Sequence, residues 1–415
     1  MPPRYGPGGL LDEHEKKTGV LHFGWGMAPR VCARLAEEID GRADLSDLVA
    51  RGRLEDFVAA RAHHACDQDI LVTTSPWLLS HRSEGPVPEA APLARGVERW
   101  VAETNPRTPS EAARIVGLFL RARRDYTYWT DGHGATITLA GRGDFYWLLA
   151  HRRLPRMWRY RSACAAASAI RRDGTLGLGQ SVYDRCVRAL EARDAIGEQF
   201  YVPETEDSFD AQGYHFDYLL LLLSGALDAQ ARVARRAYNI GTYKDELSLN
   251  FRKHGFLDQL DKAGAHRLYA LVTGQWERGV MTLISKLRNE IHAAGLSRRV
   301  LLHQSGAWPS PWQGPRTSFF GVPKPEIAAL QAAAEACGGL DRWGLMWQGD
   351  SLVFDAYTYA TVVVEETLRL VDAVADATDV EGLFPAETPV PPLEARPAKD
   401  AAYDEDTLQR IDTLG

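Results

Sequence analysis

Apolar residues recur at three- and four-residue steps through most of the second half of the chain, the spacing of helices that each bury one face. Between 214 and 240, Phe216, Leu219, Leu220, Leu223 and Leu227 share a face, and Tyr218 to Leu223 is apolar throughout. That run is far shorter than the ~20 residues a membrane-spanning helix needs, so it predicts a buried helix. Val280, Leu283, Ile284, Leu287 and Ile291 form a second stripe over 274–294, with Gly295 where a left-handed C-terminal cap would stand. Shorter helices are predicted over 250–263 and 325–336, and a closing helix over 357–375. Residues 341–354 alternate apolar and polar around Gln348-Gly349-Asp350, which predicts a small hairpin. Helices joined by short links make a bundle.

The first half mixes periods. Val20 to Phe23 reads as a strand leading through Gly24-Trp25-Gly26 into a helix from Pro29 to Ile39. Ile70 to Thr74 is a further strand, and Asp125 to Leu139 is a hairpin turning at Asp131-Gly132-His133-Gly134. Helices fit 109–124, 160–172 and 179–199. The expected layout is an α+β module over 1–210, ended by the acidic, turn-rich Pro203–Asp210, then a helical bundle over 211–378. From 379 to 415 five prolines and the acids Asp404, Glu405 and Asp406 predict a flexible tail. In it, Leu408, Ile411 and Leu414 can form one weak amphipathic turn. The fold class is therefore mainly α, with α+β character overall.

The 274–294 helix also carries the most specific chemistry. Arg288, Asn289 and His292 lie within five residues of one another, and Arg288 and His292 are one turn apart on the flank of the buried stripe, with Met281 and Ser285. This motif, its helix and the apolar helix before it resemble the HEPN family, helical bundles found in RNA-cutting toxins, in phage-defence effectors and in non-catalytic partners. The resemblance covers about residues 211–378. It implies a metal-independent endoribonuclease acting as a homodimer, with Arg288 on the scissile phosphate, Asn289 as its polar neighbour and His292 as general base or acid. It places an acid, here Asp228, where it can hold the motif arginine. Three residues separate Arg288 from His292, against four to six in the active members.

The residue types fit that chemistry on their own terms. Cutting RNA without metal needs a group that takes the 2′-hydroxyl proton, which histidine can do near neutrality. It also needs a fixed cation on the phosphate, which arginine supplies through a bidentate fork. The products would be a 2′,3′-cyclic phosphate and a 5′-hydroxyl. The plainer alternative has Arg288 pairing with an acid inside the bundle, Asp228 pairing with Arg232 at i+4, and the protein serving as a dimeric scaffold whose first module binds a ligand or protein.

Two further stretches combine bases and aromatics. Arg298, Arg299, His303, Trp308, Trp312 and Arg316 lie in a proline-broken segment, able to stack bases or to fill a seam between domains. Eleven arginines from Arg121 to Arg172, interleaved with Tyr126, Trp129, Tyr146, Trp147 and Trp158, either share an anion-binding face or are helix and hairpin surfaces paired with acids from elsewhere.

Composition narrows the classes. The 415 residues carry a net charge of −7, which gives no general drive toward nucleic acid. Five dispersed cysteines, Cys32, Cys66, Cys164, Cys186 and Cys337, predict reduced thiols and a cytoplasmic setting. The His63, His64 and Cys66 cluster lacks a second ligand pair, so no metal or other cofactor is expected. The expected partners are a second copy, RNA and a neutralising or activating protein, with no membrane.

Overall fold

The computed structural model describes residues 71–74, 76, 79, 106–124, 126–130, 135–138, 141–201, 205–241, 250–293, 296–300, 318–385, 387–388, 390–393 and 405–415. The chain divides into two compact units, Met1–Ile115 with Gly306–Pro315 and Val116–Ser305 with Arg316–Gly415. The division falls near 115, not at 210.

In the first unit β1 (Leu71–Val72) pairs in parallel with β2 (Pro106–Arg107). Thr108 then starts α1 (Pro109–Ala122): its N–H donates to Glu111 Oε2 at 2.8 Å while Glu111 N–H donates back to Thr108 Oγ1 at 3.3 Å, a reciprocal cap. The expected strand and helix over 20–39 and the His63, His64 and Cys66 cluster lie outside the described residues.

The second unit is mostly helical. A hairpin, β3 (Thr127–Thr130) and β4 (Ala135–Thr138), stands where the alternation predicts it. Then come α2 (Arg142–Arg153), α3 (Met157–Arg171), α4 (Thr175–Tyr201) and α5 (Glu206–Ala237). Of the segment read as a linker, Thr205 to Asp210 form the cap and first residues of α5. Thr205 caps α5 through Ser208, and residues 175, 185 and 199 of α4 lie against 236, 225 and 212 of α5, so the two run antiparallel. Sequence periodicity missed α2 because its buried positions mix Phe145, Leu148 and Leu149 with His151 and Tyr146.

Beyond α5 the chain forms α6 (His254–Lys262), α7 (His266–Thr273) and α8 (Gln275–Ala293), the last matching the motif helix. β5 (Ser297–Val300) and β6 (Ser318–Gly321) precede α9 (Ile327–Ala336), and β7 (Leu345–Gln348) and β8 (Ser351–Phe354) precede α10 (Ala356–Ala377). The strands form one antiparallel sheet in the order β5-β6-β8-β7. The expected Gln348-Gly349-Asp350 turn is there, with Gly349 at φ 59°, a region where a side chain is strained.

Aromatic rings join sheet to bundle. Phe320 of β6 stacks on Phe209 of α5 at 4.4 Å, and Phe354 of β8 meets Phe216 at 5.2 Å and Tyr359 at 5.1 Å. Tyr359 of α10 donates its hydroxyl to Leu283 O of α8 at 3.1 Å, and the fully buried Gln230 of α5 donates to Val371 O of α10 at 2.8 Å. Helices α5, α8 and α10 are thus tied to one another at their core. Among the described residues, no helix is long and apolar enough to cross a membrane.

The last ten residues before Gly415 form α11 (Glu405–Leu414) in place of the flexible tail expected there. Its buried Leu408 and Ile411 pack on α2, Arg153 pairs with Asp412 at 3.1 Å, and Arg193 of α4 donates to Gly415 O at 2.5 Å. The amphipathic turn docks within the chain itself. Burying Ile411 contributes about 1.5–3 kcal/mol, so Ile411→Asp is expected to release α11 while the bundle persists. Hydrogen exchange checks this: fast exchange confined to α11 and its contacts is the expected pattern, and unchanged protection over 405–414 would refute it.

Candidate functional site

Arg288 is partly buried on the flank of α8, where the stripe of Val280, Leu283, Ile284 and Leu287 sinks the rest of the helix into the core. Its Nη1 donates to Asn289 Oδ1 at 3.4 Å, and its Nε is buried without a hydrogen-bond partner among the described residues. An arginine nitrogen in that position has lost water and gained nothing, an arrangement that costs stability unless another ligand completes it. Asn289 is exposed, and Ser285 is buried one turn earlier, its hydroxyl donating to Thr282 O at 3.2 Å. His292 follows Arg288 by one turn on the same helix; its side chain is outside the described set.

Facing α8 across a small cavity stands Asp228 of α5. The cavity, about 10 Å³, is room for roughly one water. Ser224 and Leu227 of α5, Asn250, Phe251 and Arg252 before α6, and Met281, Ile284 and Ser285 of α8 complete its walls. Burial pushes the Asp228 carboxyl up from the usual carboxylate range, while Arg252, Arg288, Arg232 and Arg185 pull it back down. Among the described residues its oxygens accept no hydrogen bond and touch no cation. The i+4 pairing with Arg232 is therefore not the dominant arrangement; Arg252 and Arg288 act on Asp228 more strongly.

Of the surrounding arginines, Arg185 is held through its guanidinium by a neutral group and Arg252 through its backbone. Arg252 has its backbone N–H on Asn250 Oδ1 at 3.1 Å, and burial lowers its pKa, with Asp228 raising it and Arg288 lowering it further. Arg185 of α4 donates from Nε to Ser181 Oγ at 3.0 Å and lies over Gly225 of α5, where an added Cβ would fall 1.9 Å from its Nη1. Gly225 thus gives Arg185 its seat. Sequence reasoning missed Arg185, Arg252 and Asn250; the antiparallel pairing of α4 with α5 was the signal that could have brought Arg185 toward Asp228.

Arg298 and Arg299 lie in β5, with side chains outside the described set, and His303, Trp308, Trp312 and Arg316 are outside it altogether. The arginine tract is dispersed onto acids from other elements: Arg121 on Asp194, Arg142 near Glu191, Arg156 on Asp372 and Arg159 near Glu381. Cys164, Cys186 and Cys337 are buried free thiols, the first two pushed up to about 12 and the third to about 11, in each case chiefly by burial. Such thiols are poor nucleophiles.

A second cleft, about 180 Å³, runs beside Trp276, Glu277, Val280, Glu366, Arg369, Leu370 and Ala373. Its polar floor is already satisfied. Glu366 Oε2 accepts from Trp276 Nε1 at 2.9 Å and pairs with Arg369 at 2.6 Å, Oε1 accepts from Arg342, and both guanidiniums lie 5.1 Å from the Trp276 ring. At the Asp228 cavity, by contrast, the carboxylate accepts no hydrogen bond among the described residues.

Compared with protein-family models, with curated proteins and with solved structures, the chain matches none.

Proposed function

We propose that this chain is a HEPN-like, metal-independent endoribonuclease that cuts RNA by attack of the 2′-hydroxyl, in a toxin or phage-defence role, as a homodimer. The observation that carries the reading is the Arg288 guanidinium, half-buried with its Nε unpartnered, one helical turn before His292. Arg288 grips the scissile phosphate and stabilises the charge that builds on it; Asn289, exposed and hydrogen-bonded to Arg288, orients the fork. His292 takes the 2′-hydroxyl proton. A second copy supplies a second histidine that protonates the 5′-leaving oxygen.

One observation favours a second reading. Arg288 pulls the Asp228 carboxyl down against its burial, and where that attraction is the whole role of Arg288 the cluster is a structural node of a non-catalytic dimerisation scaffold.

Cleavage of labelled total RNA and tRNA in EDTA separates the two. The wild-type chain is expected to cut, leaving 2′,3′-cyclic phosphate ends, and His292→Ala to lose about 10²–10⁴-fold in rate with unchanged helix content and oligomeric state. Cleavage at the wild-type rate in His292→Ala would remove the assigned role, and no cleavage by the wild-type chain would favour the scaffold.

A further inference from the structure

We infer that the cleft between α8 and α10 is a binding site for a free α-amino acid with an apolar side chain, its ammonium on Glu277 and its carboxylate on Arg369. The inference is separate from the RNA-cutting reading, because Arg288, Asn289 and His292 take no part in lining the cleft.

Size and lining come first. At about 180 Å³ the cleft exceeds the roughly 150 Å³ that admits a benzene-sized body. Val280 of α8 and Leu370 of α10 are buried, and with Ala373 and the half-buried indole of Trp276 they give it an apolar wall. Water against such a wall finds few partners, so a side chain the size of leucine or phenylalanine displaces it with a gain.

Charge sets the rest of the ligand. Glu277 stands on α8 and Arg369 on the facing α10, and among the described residues Glu277 pairs with no cation. Its Oε2 lies over Gly274, where an added Cβ would collide with it. Arg369 engages Glu366 through Nη2 and keeps a side chain 61% exposed, which leaves its other N–H groups for a ligand. Glu366 itself is full, since Oε2 takes Trp276 Nε1 and Arg369 and Oε1 takes Arg342; it fixes the indole and the guanidinium in place. The charged lining residues and Arg342, which is bonded to one of them, make two acids and two bases. A net ion of either sign would unbalance that set, and a zwitterion does not. Packed helices run about 8–10 Å apart, a gap that an amino-acid head group spans with one charge-assisted hydrogen bond on each side.

Isothermal titration of the full chain with L-leucine, L-phenylalanine, glycine, N-acetyl-L-leucine and L-leucinamide tests each part. Leucine and phenylalanine are expected to bind saturably and at least about tenfold more tightly than glycine, and N-acetylation or amidation of leucine to weaken binding about tenfold or more. Glu277→Gln is expected to bind leucine and N-acetyl-leucine equally, and Arg369→Gln to bind leucine and leucinamide equally, because each variant lacks the partner of the group that the modified ligand lacks. Gly274→Ala, which keeps the Glu277 carboxylate but displaces it, is expected to weaken leucine binding. Glu366 retains Trp276 and Arg342 in Arg369→Gln, so that variant should hold its fold, and thermal unfolding alongside checks it. Leucine and phenylalanine binding no tighter than glycine, or folded Glu277→Gln and Arg369→Gln variants that bind leucine at wild-type affinity, overturns the site. Either result leaves the RNA-cleavage experiment to stand or fall by itself.

Discussion

Asp194→Ala is expected to destabilise the helical unit by about 3–5 kcal/mol, because it strands a buried cation. Asp194, 5% exposed, accepts Arg121 Nε at 2.5 Å and the Tyr146 hydroxyl at 2.8 Å on one oxygen, and Arg193 Nη2 at 2.7 Å on the other. Arg121 itself is 6% exposed, so the substitution takes a charge-balancing carboxylate from a cation that water barely reaches. Burial alone would raise the Asp194 pKa, yet Arg193 and Arg121 hold it below the ordinary carboxylate value. The sign for pH follows: this contribution is fully present above the unfolded pKa of about 3.9 and is lost as pH falls through the lower folded value. Urea unfolding at pH 7 and in a descending pH series checks both statements. A loss under about 1 kcal/mol at pH 7 would show that the network breaks even against an apolar core.

Asp228 makes the opposite contribution. Its folded pKa is raised, chiefly by burial, so the folded state binds that proton more tightly than the unfolded chain does, and the ionised carboxylate costs stability at neutral pH. The unit therefore contains one carboxylate that guanidiniums bond directly and another that lines a water-sized cavity and accepts no hydrogen bond among the described residues. The first pattern is that of a structural node. The second, together with the unpartnered Arg288 Nε, is what makes this the candidate site.

Sequence periodicity delivered the bundle because α5, α8 and α10 bury single continuous stripes, and it delivered the β3–β4 and β7–β8 strand pairs because glycine-bearing stretches of sequence interrupt strict alternation. It put a boundary at Pro203–Asp210, where acids and a proline look like a linker, yet the acids Glu206 and Asp207 occupy the first turn of α5 and complement its dipole. Charged first turns and acidic linkers share a composition. It also lost α11, since Leu408 and Ile411 become a helix only through the α2 surface and through Arg153 and Arg193, both distant in sequence. At the site, Arg288, Asn289, Ser285 and Asp228 were legible because they ride on periodic helices. Arg185 and Arg252 were not, because nothing local distinguishes them from the many arginines that the structure sends to acids elsewhere.

Arg288→Ala and Arg288→Lys are both expected to slow RNA cleavage by about 10²–10³-fold, the loss associated with removing one fixed donor from a developing oxyanion. The lysine variant is the more informative because it keeps the charge. Its ammonium is a compact point donor that cannot present Nε and Nη together, and it would hold neither the Asn289 contact nor the buried position of Nε. Stability should move little in Arg288→Lys, since Asp228 makes no direct bond to Arg288 that the substitution would break. Rates measured in EDTA at saturating RNA, with thermal unfolding alongside, separate the roles. A lysine variant that cuts at the wild-type rate would mean that charge alone suffices at this position and that the fork is not what holds the phosphate. A lysine variant that unfolds at much lower temperature would move Arg288 from the reaction to the architecture of the bundle.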